Sequence, residues 1–195
     1  MFHARLIVLG MAALLGASAL AQDGGGFPAS IETKFGDERV KLVRTGTAIR
    51  KKGIFKVYAV ASYVQEGAKV RTAEELAASD VAKQLHLSFL RAVNGREMAQ
   101  TFRAVLRQNH PEPTFAEEVK QLTDLFERTS AQRGDQVVIT HIPKVGLHCR
   151  RANREEVLIR NVEFSRAVWE NYFGKRNVDD AVKAGLVSEL SRLNR

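Results

Sequence analysis

The stretch Ile54-Phe-Lys-Val-Tyr-Ala-Val-Ala-Ser-Tyr-Val64 reads as the strongest strand of the chain. Apolar residues fall on both of its alternating faces, the pattern of a central strand covered on two sides rather than an edge strand with one wet face. Just upstream, Val40–Thr45 and then Thr47–Arg50 continue a strand pattern, with Ile31–Lys34 before them across a turn at Gly36-Asp37.

Working outward, three helices announce their starts. Thr72, Asn94 and Thr114 each stand three residues before a Glu (Glu75, Glu97 and Glu117), the spacing of a reciprocal capping box. The first helix is expected to reach about Ser79. The second runs to about Gln108, with Met98, Phe102, Val105 and Leu106 along one stripe. The third runs to about Arg128, with Phe115, Val119, Leu122 and Phe126 inward. Between the first two lies Lys83–Arg91, where Leu85, Leu87 and Phe89 alternate as in a half-buried strand. After Gly134-Asp135 come strands Gln136–Ile142, Leu147–Arg151 and Glu156–Arg160. A helix over Val162–Phe173 is ended by Gly174, and a final amphipathic helix spans Val178–Leu193. Strands and helices are segregated rather than alternating, which predicts an α+β fold with a largely antiparallel sheet.

Composition narrows the functional classes. The 195 residues are 45% hydrophobic and 27% charged, which excludes a collagen, a disordered polymer and a multi-span membrane protein. One cysteine excludes an internal disulfide and a cysteine zinc cluster, and Cys149 is expected to be buried in its strand. Thirty Lys and Arg against 22 Asp and Glu leave a net charge of +8. Arg5 followed by the uncharged run Leu6–Leu20 and by Ala19-Leu20-Ala21 reads as a signal peptide over residues 1–21. Residues 22–30 would then be a flexible lead-in and 31–195 one domain, placed in the periplasm or outside the cell. Export turns the basic balance away from nucleic acid and toward small acids, phenolates or an anionic envelope surface.

No phosphate-binding glycine loop, HExxH, G-x-S-x-G or CxxC occurs. His141 and His148 would face each other across a hairpin if Pro143–Gly146 were a four-residue turn, yet no third metal ligand is evident, and no cofactor is expected. More is decided by Gly46-Thr-Ala-Ile-Arg50 followed by Phe55-Lys-Val-Tyr-Ala-Val-Ala-Ser-Tyr63. With Phe89-Leu-Arg91, the Phe102…Asn109 helix, Gly134-Asp135, Ile142-Pro143…Gly146 and Ala167–Gly174, these pieces follow one another in an order that resembles the chalcone isomerase superfamily, in its bacterial exported branch. The likeness covers about residues 35 to 190. It implies an open-faced β-sandwich, a curved antiparallel sheet with helices packed against it.

The resemblance also implies a site. Arg50 matches the arginine that draws in a phenolate, and Asn109 matches a pocket-lining asparagine. Tyr58 stands where the family has a strand threonine. Phe102 stands at the tyrosine that polarises the substrate ketone, and Asn171, with Tyr172 beside it, at a late Thr or Ser. Phe102 offers no hydroxyl, and Tyr58 would fill part of a two-ring pocket. This matches the non-catalytic members that resemble fatty-acid-binding proteins and use the same arginine to hold a carboxylate. On the residues alone, Asn109 either caps its helix or projects into a pocket, and Arg50 is either a pocket cation or part of a solvated turn with Lys51 and Lys52. The leading expectation is a binding protein for a small amphipathic acid or phenolate. Arg50 would be its counter-ion, with little role in stability, and Tyr58, Phe102, Asn109, Asn171 and Tyr172 its lining. An intramolecular lyase or isomerase using Arg50 with Tyr58 is the alternative, and a non-catalytic envelope interaction protein the second.

Export is checked by intact mass. The periplasmic form is expected to begin at Gln22, and full-length protein recovered from the membrane would contradict the leader.

Overall fold

A computed structural model describes residues 26–151 and 155–193. The leader expected at residues 1–21 lies outside the described residues. Strands β1 (Ser30–Phe35), β2 (Glu38–Lys52), β3 (Phe55–Gln65), β4 (Lys83–Phe89), β5 (Gln136–Ile142), β6 (Gly146–Arg151) and β7 (Glu156–Ile159) form one sheet in sequence order, every neighbouring pair antiparallel. Helix α1 (Ala73–Ala78) is inserted between β3 and β4, and α2 (Gly95–Asn109) with α3 (Ala116–Arg128) between β4 and β5. Helices α4 (Val162–Phe173) and α5 (Asp180–Leu186) follow β7. No helix among the described residues is long and apolar enough to cross a membrane.

The central-strand reading of residues 54–64 holds. Residues 59–64 of β3 are all buried, because each face meets a different cluster. Val60 and Val64 point to the helices and the main core, whereas Ala61 and Tyr63 join Val40, Leu42 and Ala82 in a second cluster on the opposite face. The sheet rolls to make that second cluster. In a flat sheet β1 and β4 stand about 14 Å apart, three strand spacings. Here Gln84 Nε2 on β4 donates to Thr33 Oγ1 on β1 at 3.2 Å and to Thr140 Oγ1 on β5 at 3.0 Å. The β1–β2 end is therefore folded over the outer face of the sheet. His86, packed at a tilt against Tyr63, lies with its Nε2 2.9 Å from Gln84 Oε1. Burial, and after it Arg150, lowers its pKa to about 4, so the neutral ring donates to that oxygen.

Helix starts at Thr72 and Asn94 are capped as expected, by Thr72 Oγ1 accepting from Glu75 N and Asn94 Oδ1 from Arg96 N. Two expectations are corrected. Thr114 does not cap α3. The helix begins after Phe115, held at φ 58°, whose ring packs edge-on against His110 and Phe164 and takes the chain out of a capping geometry. The final helix is not continuous over Val178–Leu193 either. It stops at Leu186, because Thr45 Oγ1 donates to the Leu186 carbonyl at 2.7 Å and Glu189 N donates to the Thr45 carbonyl at 2.9 Å. A 3₁₀ turn over Leu190–Arg192 finishes it.

Lys83 is fully buried beneath α1, and its ammonium donates to the carbonyls of Leu76, Ala77 and Ser79 at 2.7, 2.8 and 2.7 Å. Burial pulls its pKa down to about 7, while these acceptors at a helix C-terminus work the other way by holding the charged form. Below it lies Trp169, also fully buried, with the Lys83 ammonium 5.4 Å from the ring centre. Truncation there removes a large apolar group and leaves a cavity. Trp169→Ala is expected to cost about 3–5 kcal/mol in denaturant unfolding, and a loss under about 1 kcal/mol would contradict the packing.

Candidate functional site

A cavity of about 660 Å³ opens between the helix-covered face of the sheet and helices α2 and α4. Its walls are mostly apolar: Leu87 and Phe89 from β4, Val137 and Ile139 from β5, Met98 and Phe102 from α2, Val168 from α4. The strand residues reach it because period-two alternation turns Leu85, Leu87 and Phe89 to one face. That volume and character fit a small-molecule pocket.

Polar groups enter at few places. Arg50 and Tyr58, directly opposite each other across the β2–β3 ladder, both line the cavity, as do Asn171 and Tyr172 from α4. Four of the expected site residues thus converge with Phe102. Asn109 does not. It is the last residue of α2, and its side chain turns from the cavity to donate to the Arg176 carbonyl at 2.8 Å, pinning the α4–α5 connection. The expectation that Asn109 lines the pocket is corrected on that ground.

Arg50 is not a free cation. Its Nη1 donates to Asp179 Oδ2 at 2.8 Å and also to the Lys51 carbonyl. Asp179 is itself engaged twice, since its Oδ1 caps α5 by accepting from Ala181 N and Val182 N. The pair joins β2 to α5 with about a quarter of each side chain exposed, so its contribution to stability is about 1 kcal/mol or less. Arg50 thus ties β2 to α5 while contributing little to stability, and the pair with Asp179 is the partner the sequence did not show. Its Nε and Nη2 have no protein acceptor among the described residues, which leaves one edge of the guanidinium for a ligand.

Asn171 is 3% exposed, and its Oδ1 has no hydrogen-bond partner among the described residues. A buried amide oxygen left open in the wall of an apolar cavity is costly, and only a hydrogen-bond donor could satisfy it. Tyr58 and Tyr172 interact through their hydroxyls. Burial raises the pKa of Tyr58, opposed by Tyr172 and Arg50, and burial with the Tyr58 neighbour holds Tyr172 well above the ordinary phenol value. Both remain protonated donors at neutral pH, unfit as general bases there.

Two other constellations are not brought into the site. His141 pairs with Leu147 in the hairpin and Thr140 with His148, so the two imidazoles point to opposite faces and cannot share a metal. The expected facing arrangement fails because the turn is one residue shorter. Among the described residues no group of three metal-ligating side chains exists. His141 instead bridges Ser165 Oγ (2.8 Å) and Asp80 Oδ1 (2.9 Å). Burial above all, and then Lys83, lowers its pKa to about 4. The trio has the composition of a hydrolytic triad, but Ser165 and His141 are fully buried and do not border the cavity, so it serves as a strut.

Sequence reasoning missed Asp179 as the partner of Arg50, 129 residues away. Its one local signal, an Asp just ahead of a helical segment, marks a cap and says nothing of a distant arginine. Lys52, paired with Glu97 at 2.8 Å, and Arg91, lying over the Phe55 ring at 5.2 Å, border the same cavity.

The family model for chalcone isomerase-like proteins matches residues 21–188. The chain belongs to the chalcone isomerase-like family. Among solved structures, it is similar to a fatty-acid binding protein of Arabidopsis thaliana, with a TM-score of 0.63 and 18% identity over 86% of this chain and 94% of that one. That likeness concerns the fold, and the rolled sheet with helices on one face is the shared feature. No curated protein matches the chain.

The cavity phenols carry a titration signature. The chain has three tyrosines, and the third, Tyr63, is also pushed up, to about 12, chiefly by burial. A phenol raised in the folded state keeps its proton where the unfolded chain loses it. Its stabilising contribution is therefore complete below pH of about 10 and declines as pH rises from there toward the folded value. Near-ultraviolet titration is expected to show almost no tyrosinate at about pH 10.5, with ionisation accompanying unfolding at higher pH. One tyrosine ionising near pH 10 in folded protein would contradict the assignment.

Proposed function

We propose that this protein binds a small amphipathic acid or phenolate, fatty-acid-like in character, without transforming it. The carrying observation is an apolar cavity of about 660 Å³ whose wall presents the open edge of the Arg50 guanidinium. The apolar tail occupies the part lined by Leu87, Met98, Phe102 and Ile139. The acid group takes the Nε–Nη2 edge of Arg50, with Tyr58 and Tyr172 as further donors. The Arabidopsis relative in fold is itself a fatty-acid binding protein, which supports the same ligand class. Against cyclisation, Phe102 has no hydroxyl to offer a ketone, and neither phenol is ionised to act as a base. The same proposal reads residues 1–21 as a leader and puts this binding outside the cytoplasm.

Asp179 sets the strength of binding, because it is an internal carboxylate already on Arg50. A hydrogen bond to a charged partner contributes about 1.5–3 kcal/mol, so Arg50→Ala is expected to weaken a long-chain fatty acid by about 10- to 150-fold. Asp179→Asn keeps a cap for α5 and releases Arg50, so it is expected to tighten the same ligand several-fold. Titration with a fluorescent fatty acid reads both. Unchanged affinity in Arg50→Ala would return Arg50 to a purely structural tie. Chalcone cyclisation that vanishes in Arg50→Ala would make the protein an enzyme.

A further inference from the structure

The β2–β3 hairpin carries the two exposed large hydrophobic side chains of the described residues, Ile54 at 89% and Phe55 at 58%. Lys52 pairs with Phe55 in the ladder, so Gly53 and Ile54 are the turn itself. Turn tips ordinarily take Gly, Asn, Asp or Ser, which stay solvated at no cost. Gly53, at φ 59°, meets that demand, and Ile54 does not. Around the apolar pair stand Lys51, Lys52 and Lys56, all exposed, and Arg91 stacked on the Phe55 ring at 5.2 Å. Glu97, bonded to Lys52 at 2.8 Å, stands among them. The patch is thus two apolar side chains in a basic ring, and five of its residues (Lys52, Gly53, Phe55, Arg91 and Glu97) also border the cavity.

We propose that the β2–β3 hairpin docks the protein on an anionic lipid bilayer, Ile54 and Phe55 entering the headgroup region and the surrounding cations resting on lipid phosphates. Apolar tips with a basic collar are the composition that binds such an interface, each part weak alone. Charge complementarity selects the bilayer over a protein surface: Lys51, Lys52 and Arg91 outnumber the Glu97 carboxylate bonded to Lys52, and the excess suits a partner of uniform negative charge. Because the hairpin also borders the cavity, a docked protein has that edge of the cavity against the bilayer, where an acyl acid passes between membrane and pocket without crossing water. This last step rests on the proposed ligand class; the docking itself does not.

The experiment is vesicle co-sedimentation with wild type, Ile54→Ser and Lys51→Glu, all prepared with the same N-terminus so that any contribution of residues 1–21 is common. Neither side chain lines the cavity, and both are exposed, so neither change disturbs packing. Wild type is expected to bind phosphatidylglycerol–phosphatidylethanolamine vesicles and to leave phosphatidylcholine vesicles, with binding weakened by salt. Each variant is expected to lose about 10-fold or more in partitioning, while affinity for a fluorescent fatty acid in vesicle-free buffer stays unchanged. Equal binding to both vesicle types, or binding that survives Ile54→Ser, would overturn the docking. Concentration-dependent self-association abolished by Ile54→Ser would overturn it too, by making the hairpin a protein contact. Vesicle binding without fatty-acid binding in buffer would leave the docking standing and remove the ligand reading alone.

Discussion

At Gly46 the backbone of β2 meets the backbone of α5 with no side chain between them. A Cβ on Gly46 would sit 2.1 Å from the Gly185 carbonyl oxygen, and one on Gly185 would sit 2.6 Å from that of Thr47. Gly46 also has φ 155° at a register shift in the β2–β3 ladder, where the strand turns out of the plane of its neighbours. Around this contact Thr45 bonds Leu186 and Glu189, and Arg44 pairs with Glu189 at 3.0 Å. The site depends on it: with α5 seated on β2, its capping Asp179 comes to stand beside Arg50. Loosen the contact and the cavity loses the carboxylate that orients its guanidinium.

The charges divide by environment. Lys83 is enclosed and bonded to three carbonyls, so its charge serves α1. Arg50 is shared between a structural partner and the cavity. Lys51 is exposed at the hairpin beside the Lys52–Glu97 pair, where its charge acts at long range. A net +8 in the composition therefore conceals three physical roles, and only burial and bonding partners separate them. The cavity inherits a positive side from this arrangement while its interior stays apolar, the combination that an acid with a hydrocarbon tail requires.

Much of the fold is legible in the sequence because its signals are local. Alternation exposes β4 in Leu85, Leu87 and Phe89, two-sided burial exposes β3, and caps at Thr72 and Asn94 start their helices where expected. Failures come where a distant contact overrides a local preference. Thr114 has capping chemistry, but Phe115 is drawn aside by rings 5 and 49 residues away in sequence, His110 and Phe164. The last helix has amphipathic spacing past Leu186, but Thr45 takes its carbonyl. Of the site, Arg50, Tyr58, Phe102, Asn171 and Tyr172 are reached through the family's order of motifs and stand together around the cavity. Asn109 shows why a motif match does not fix a rotamer: seven residues from Phe102, it shares a helix face with it, yet the Arg176 carbonyl lies within reach and takes its amide. Asp179 was illegible because an ion pair across 129 residues leaves no local trace.

Native mass spectrometry of protein purified from its own compartment tests the central claim most directly. The account predicts a mass excess of one small molecule per chain, identified after release as an acid or phenol with an apolar body, and reduced in protein carrying Arg50→Ala. Protein that arrives at the bare chain mass and stays there after incubation with long-chain fatty acids would contradict it.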